Sequence, residues 1–215
     1  KEEGIIGKII VTGCLSQRYQ NEIFEEMPEV DAVIGIGANG NIADIVKRVI
    51  EGERILEMPS NEELPLVGER VLTTPEYWSY LKIAEGCSNC CTYCAIPKIR
   101  GKFRSREIEN IIAEAKSLAE NGVKELIVVA QDTTKYGIDL YGELKLSDLL
   151  KELCKIDGIE WIRTLYCYPE SITDELIETM ASEDKICKYI DIPLQHCDGD
   201  ILKRMNRRGD RESLT

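Results

Sequence analysis

The stretch that decides the fold is Tyr80-Leu81-Lys82-Ile83-Ala84-Glu85-Gly86-Cys87-Ser88-Asn89-Cys90-Cys91-Thr92-Tyr93-Cys94. It opens as a half-apolar strand, breaks at Gly86, and sets four thiols within eight residues of loop. Downstream, strand-like runs recur near Lys124–Ala130, Trp161–Tyr168 and Lys188–Leu194. Helical periodicity fills the gaps and the end, near Glu107–Glu120, Ser147–Ile156, Thr173–Ala181 and Gly199–Asn206. Ser105 is placed to cap the first of these helices and Gly122 to end it. Four βα units at this spacing predict a parallel sheet, either open or curling into a barrel. In both forms chemistry gathers at the carboxyl ends of the strands, and the cysteine loop lies at such an end.

Upstream, Ile5–Val11 reads as a strand ending at Thr12-Gly13-Cys14, followed by a helix over Leu15–Met27 that stops near Pro28. Val30–Ile36 reads as the next strand, and Ile42, Ile45, Val46, Val49 and Ile50 show helical spacing up to Gly52. Periodicity lapses from Leu56 to Thr74, where Met58-Pro59-Ser60-Asn61 and Leu64-Pro65 mark an irregular connection. The expected segmentation is an amino-terminal βα domain over 1–56, a linker over 57–72 and a second domain over 73–215.

Composition narrows the functional classes. Hydrophobic residues make up 43% and charged residues 31%, an ordinary globular balance. No apolar run approaches the ~18 residues of a membrane-spanning helix, so no membrane partner is expected. The net charge of −12, from 39 acidic and 27 basic residues, disfavours direct nucleic-acid binding and suits a basic protein partner. Nine cysteines, an odd number with four clustered, argue against a disulfide scaffold. A metal site in a reducing, cytoplasmic compartment fits them better. The chain starts at Lys1 with no leader-like segment, which reads as a piece of a longer protein.

The cysteine loop admits three readings. Structural zinc draws two ligand pairs a dozen or more residues apart, so that the chain wraps the tetrahedron; here Cys87–Cys90 abuts Cys91–Cys94. An electron carrier of the ferredoxin kind uses an x2, x2 spacing, whereas this loop has x3 then x2. The third reading takes Cys87, Cys91 and Cys94 as ligands of three irons in a 4Fe–4S cube, leaving the fourth iron open for chemistry. Cys90 is then a spare thiol; a register that uses it fits the spacing less well.

The CxxxCxxC spacing, with Tyr93 before the last cysteine, resembles the signature of radical-SAM enzymes. That resemblance implies an open iron that binds the amino and carboxylate groups of S-adenosylmethionine (SAM), and electron transfer that cleaves the sulfonium to a 5′-deoxyadenosyl radical. Beyond the motif, the chain resembles the methylthiotransferases of that superfamily over essentially all 215 residues. The landmarks are Val11-Thr12-Gly13-Cys14-Leu15, the strand from Tyr80 to Cys87, and Arg100-Gly101 followed by Arg104-Ser105-Arg106. The family implies an α/β fold: an amino-terminal domain holding an auxiliary 4Fe–4S cluster, a partial radical-SAM (β/α) barrel, and a carboxy-terminal TRAM domain. Here the first would be partial and the barrel truncated.

Ala130-Gln131-Asp132-Thr133-Thr134, the stretch Tyr136 to Gly142, Pro193-Leu194-Gln195-His196 and Met205-Asn206-Arg207-Arg208 resemble one branch of the family. That branch adds a methylthio group to the β-carbon of an aspartate in the twelfth small-subunit ribosomal protein. The alternative is the branch that modifies an adenosine of tRNA. The implied cofactors are two 4Fe–4S clusters per full-length chain and SAM. The implied partners are a basic ribosomal protein and a reducing electron donor. One SAM methylates sulfur associated with the auxiliary cluster, and a second yields the radical that abstracts hydrogen from the substrate carbon. Cys14 matches the third auxiliary-cluster cysteine, with two more expected upstream of Lys1, so the chain as given is not expected to complete methylthiolation.

The resemblance also makes Tyr93, Gln131, Asp132 and Gln195 candidates for SAM contact, Tyr93 beside adenine and the others at strand ends. For His196 a structural hydrogen bond is as good a reading as a contact. Cys154, Cys167 and Cys187 read as core thiols and Cys197 as a spare one. Arg204, Arg207 and Arg208 read as a solvated basic patch.

Overall fold

Short apolar runs build the first sheet. In the computed structural model, which describes residues 4–68, 71–73 and 75–212, β1 (Ile10–Val11), β2 (Ala32–Ile34) and β3 (Ile55–Glu57) pair in parallel in that order. Of the expected segmentation, positions 1–3, 69–70, 74 and 213–215 lie outside the described residues. The strand expected from Ile5 forms only at Ile10–Val11, because β2 offers ladder partners to those two residues alone. Ile5 and Ile6 are left exposed. Helix α1 (Cys14–Glu26) starts one residue earlier than expected and kinks at Gln20, whose φ is 39°. Helix α2 (Ile42–Ile50) buries Ile45 and Val49, four residues apart on one face, against Ala32, Ile34 and Ile55.

Contacts divide the chain into two units. The first runs to Leu66 and takes back Ala95–Gly101, which contains α3 (Ile96–Arg100). Asn61 fastens this returning segment: its Nδ2 donates to the carbonyls of Lys98 and Ile99, at 3.3 and 3.2 Å. Gly101 closes α3 at φ 78°, where a Cβ would stand 2.9 Å from Asn61 Oδ1.

The second unit holds β4 (Trp78–Lys82), β5 (Ala84–Glu85), β6 (Arg104–Ser105), β7 (Glu125–Val129), β8 (Trp161–Thr164) and β9 (Ile186–Ile190). Its helices are α4 (Ile108–Glu120), α5 (Leu146–Cys154), α6 (Asp174–Ser182) and α7 (Gly199–Arg204). Strands β4, β7, β8 and β9 form a parallel sheet in that order, and β5 pairs antiparallel with β6 beside it. Every crossover steps the same way, and right-handed crossovers that step one way put their helices on one face. The sheet is therefore an arc of a barrel and not a doubly wound sheet.

The covered face is the core. Leu81, Leu126, Val128 and Ile162 pack with Ile111, Ala115 and Leu118 of α4, Leu149, Leu150 and Leu153 of α5, and Leu176 and Met180 of α6. Helix α5 shows why it forms: Leu146, Leu149, Leu150 and Leu153 recur at i, i+3, i+4 and i+7, and all four are buried. On the opposite face Tyr80, Trp161 and Tyr189 remain exposed.

Local chemistry sets the ends. Gly122, at φ 92°, stops α4, and the amides of Gly122 and Val123 close on the carbonyls of Ala119 and Leu118. Ser105 does not cap that helix. It lies in β6, where its Oγ donates to Asp139 Oδ1 at 2.6 Å and accepts from Gly137 N at 2.9 Å; Glu107 occupies the cap position. The last strand forms at Ile186–Ile190, two residues ahead of the expected Lys188–Leu194. Its register passes an irregularity between Ile186 and Ile190, and Pro193 beyond it has no amide to extend the ladder.

Candidate functional site

The cysteine loop leaves β5 at Gly86, whose φ of 75° turns the chain out of the hairpin. Cys87 and Cys91 point inward and are buried, Cys94 is half-buried, and Cys90 is exposed. The exposure has a backbone cause: Cys90 adopts a left-handed φ of 51°, which turns its thiol to the opposite side of the loop from its neighbour Cys91. Cys94 N donates to Cys91 O at 3.0 Å, closing the last turn. The three less exposed cysteines are thus the ones whose spacing is CxxxCxxC.

Two sets of hydrogen bonds hold this loop. On one side Asn89 Nδ2 donates to Asp132 Oδ2 at 2.9 Å, Lys135 Nζ donates to Asn89 Oδ1, and Ser88 Oγ accepts from Phe103 N at 3.1 Å. On the other side the segment after α7 grips it. Thr92 N donates to Met205 O at 3.1 Å, Thr92 Oγ1 to Arg204 O at 3.2 Å, and Asn206 Nδ2 to the carbonyls of Asn89 and Cys90 at 3.2 and 3.0 Å. Asn206 itself holds a left-handed φ of 55° to make these contacts.

The expected SAM candidates have distinct surroundings. Asp132 is fully buried; Thr134 Oγ1 donates to its Oδ1 at 2.7 Å, and Asn89 and Lys135 engage the other oxygen. Its carboxylate therefore ties the cysteine loop to the end of β7. Gln131, beside it, is half-buried and its Oε1 is buried without a hydrogen-bond donor. Tyr93 is exposed, and Gln195 is exposed with a left-handed φ of 64°. His196 Nδ1 accepts from Asp198 N at 2.9 Å, a local turn bond.

Cys14 belongs to the first unit. It opens α1 and its Sγ accepts from Arg100 Nη2 of α3 at 3.3 Å.

Sequence reasoning left Arg207 on a solvated patch. It is instead 6% exposed, while Arg208 and Arg204 are exposed. Its Nη2 donates to Pro193 O at 2.6 Å, and its guanidinium lies 4.2 Å from the centre of the Tyr168 ring. Its remaining donors, Nε and Nη1, are buried with no partner. Only the fold, which tucks residue 207 under the loop after β8, sets it apart from the arginines around it. A cleft of about 380 Å³ between the cysteine loop and this segment is lined by Asn89, Cys90, Lys135, Tyr168, Arg207 and neighbours. Another cavity of about 650 Å³ lies along α4, lined by Leu72, Asn110, Glu114 and Ser117, and contains no cysteine.

Electrostatics follow from this burial. Desolvation pushes the Cys87 thiol above its ordinary pKa, and the nearby Asp132 and Cys91 add to it. The Tyr93 and Tyr168 phenols are raised for the same first reason, with Cys91 next, and Arg207 opposes both shifts. Among the described residues no three His, Cys, Asp or Glu groups converge as one metal ion requires. A 4Fe–4S cube makes a different demand, since each thiolate holds its own iron. Two buried thiols and a half-buried one on one short loop, with a buried, incompletely paired cation lining the same cleft, fit such an anionic cluster.

Comparison with known proteins agrees with that fit. The profile of the Radical SAM superfamily matches residues 81–214. "Ribosomal protein uS12 methylthiotransferase RimO" from Clostridium tetani is 57% identical over 208 residues, covering 96% of this chain and 47% of that protein. The protein of that name from Clostridioides difficile is 55% identical, over 100% of this chain and 48% of its own length. The chain thus spans about half the length of the curated relatives it matches, and their name does not favour the tRNA-modifying alternative. Among solved structures, the radical S-adenosylmethionine methyltransferase TsrM from Kitasatospora setae superposes with a TM-score of 0.70 at 14% identity, over 96% of this chain and 46% of that one. The cobalamin-dependent S-adenosylmethionine radical enzyme OxsB gives 0.64, also at 14%, over 99% and 34%; at such identity the likeness is one of fold. Among the described residues no helix is long and apolar enough to cross a membrane. Matched over more than half its length by the superfamily profile, with its CxxxCxxC loop at a strand end, the chain belongs to the radical SAM superfamily.

Proposed function

We propose that this chain carries the radical-generating part of a cytoplasmic methylthiotransferase whose substrate is an aspartate of ribosomal protein uS12. The observation that carries the reading is the burial of Cys87 and Cys91 and the half-burial of Cys94, with Cys90 exposed, on a loop at the carboxyl end of a parallel barrel arc. When bound there, a 4Fe–4S cluster with SAM supplies one-electron cleavage of the sulfonium. Cys87, Cys91 and Cys94 hold the cluster, and Asp132 fixes their loop through Asn89. Gln131, whose Oε1 is a buried acceptor lacking a donor, accepts from a donor group of SAM. Tyr93 and Gln195, both exposed near the ends of their loops, would supply further contacts to SAM. In the first unit Cys14, beside Arg100, is a ligand of a second, auxiliary cluster. The net charge of −12 supports a basic ribosomal protein as the substrate. A low-potential one-electron donor completes the set of partners.

The test is anaerobic reconstitution with iron and sulfide, reduction by dithionite, and assay of 5′-deoxyadenosine from SAM. The wild type should release it and Cys91→Ala should not. Normal cleavage by Cys91→Ala would remove that cysteine from the ligand set. The substrate is tested with the full-length protein, which alone is expected to complete methylthiolation: a uS12 peptide should gain the mass of a methylthio group, and modification of a tRNA adenosine in its place would overturn the substrate.

A further inference from the structure

We infer that Arg207 is the fixed positive charge of the cluster site, and that it sets how readily the cluster takes an electron. The inference rests on the ligand set proposed above and goes beyond it to the redox control of that site. A guanidinium cannot neutralise itself by losing a proton, so burial leaves it dependent on partners. Arg207 is 6% exposed, yet only Nη2 finds an acceptor, Pro193 O at 2.6 Å. The Tyr168 ring supports one face at 4.2 Å. Nε and Nη1 find no acceptor in good hydrogen-bond geometry, although the neutral Tyr93 phenol interacts with the guanidinium, and a buried cation so placed is costly unless an anion supplies the missing acceptors. The anion is placed by the neighbouring residues: Thr92 and Cys90 are bonded to residues 204–206, so Arg207 follows directly on the clamp around Cys91. Tyr168, Tyr93 and Glu170 act on the Arg207 charge first, and the Cys91 sulfur after them.

A cube held by three thiolates is anionic, and the electron it accepts from an external low-potential donor adds one negative charge without making or breaking a bond. A buried cation stabilises the reduced form more than the oxidised form. It therefore raises the reduction potential, and the low dielectric beside the loop strengthens the effect. Arg208, one residue on and exposed, has the same formal charge and lacks this leverage because solvent screens it.

The experiment is an EPR-monitored redox titration of the reconstituted protein without SAM, following the cluster signal that SAM perturbs when added afterwards. At a poise that half-reduces the wild type, Arg207→Gln should show a reduced-to-oxidised ratio at least about tenfold lower, a shift of about 59 mV or more to the negative. Arg207→Lys, which keeps the charge, should stay within about threefold of wild type, as should Arg208→Gln. Equal potentials for wild type and Arg207→Gln would overturn the inference; if that variant also bound SAM more weakly, Arg207 would be reassigned to the SAM carboxylate. An equal shift in Arg208→Gln would reduce the effect to net charge and also overturn it. Should Arg207→Gln fold, by circular dichroism, without taking up a cluster, Arg207→Lys decides: a loaded cluster at near wild-type potential supports the inference, and any other result sinks it. A wild type that takes up no 4Fe–4S cluster would refute the underlying ligand assignment instead.

Discussion

Cys154 and Cys90 carry the same thiol in opposite surroundings, and their chemistry should diverge accordingly. Cys90 is exposed, whereas burial, reinforced by Glu183, pushes Cys154 up to about 11. At about 11, Cys154 is only about one-hundredth thiolate at pH 9, and it is also the less accessible of the two. Peptide mapping after brief iodoacetamide treatment at pH 9 should therefore find Cys90 and Cys197 labelled well before Cys154; equal labelling would contradict the burial. The same shift has a stability consequence. Between about pH 8.5 and 11 the unfolded chain loses this proton first, so the folded state binds more protons and stability falls as pH rises. Cys154→Ala should flatten that part of the pH profile of thermal unfolding. At this scale sequence spacing set Cys87, Cys91 and Cys94 apart from Cys90, the one exposed thiol of the loop, but it gave no means of telling Arg207 from Arg208. Neighbouring arginines in one run look alike until the fold buries one of them.

At the scale of elements, helices α2, α4, α5 and α6 were legible to within a residue or two because their apolar residues repeat at 3.6. Strand ends were less so. Ile5 and Ile6 have the composition of a strand and lack a partner, and strand formation depends on the partner. The turn after the segment Thr133–Lys135 shows how one position controls an element junction. Gly137 has φ 93°, and a Cβ there would stand 2.7 Å from Lys145 Cβ and 2.9 Å from Glu143 O. Gly137→Ala should destabilise the protein by about 1–3 kcal/mol in urea unfolding, combining left-handed strain with overpacking. Leu149→Ala, which removes a fully buried side chain from α5, should cost about 2–5 kcal/mol in the same measurement. A loss below about 1 kcal/mol in either variant would argue against the packing described.

At the scale of the whole molecule, the two units carry separate cores. Ile45 and Val49 pack on the sheet of β1–β3, and Leu150 packs on the arc of β4, β7, β8 and β9. Substitutions in different cores should therefore act locally. Ile45→Ala should speed amide exchange in β2 and leave β7 protected, while Leu150→Ala should do the reverse. Uniform acceleration by either variant would mean that the two cores open as one.

The sequence by itself determined the motif: the CxxxCxxC spacing of Cys87, Cys91 and Cys94 needs no fold to be read, because thiols on one short loop are kept close by covalent geometry. It also determined that βα units follow the loop, through the period of their apolar residues. Only the tertiary structure decided that the sheet curls one way, since crossover order becomes a curved face when strands pair. Only it returned α3 to the first unit, where Arg100 meets Cys14 from far along the chain. And only it put a buried, half-paired guanidinium next to the clamp on the cysteine loop, because burial depends on every element packed around a residue and not on the residue's own neighbours in sequence.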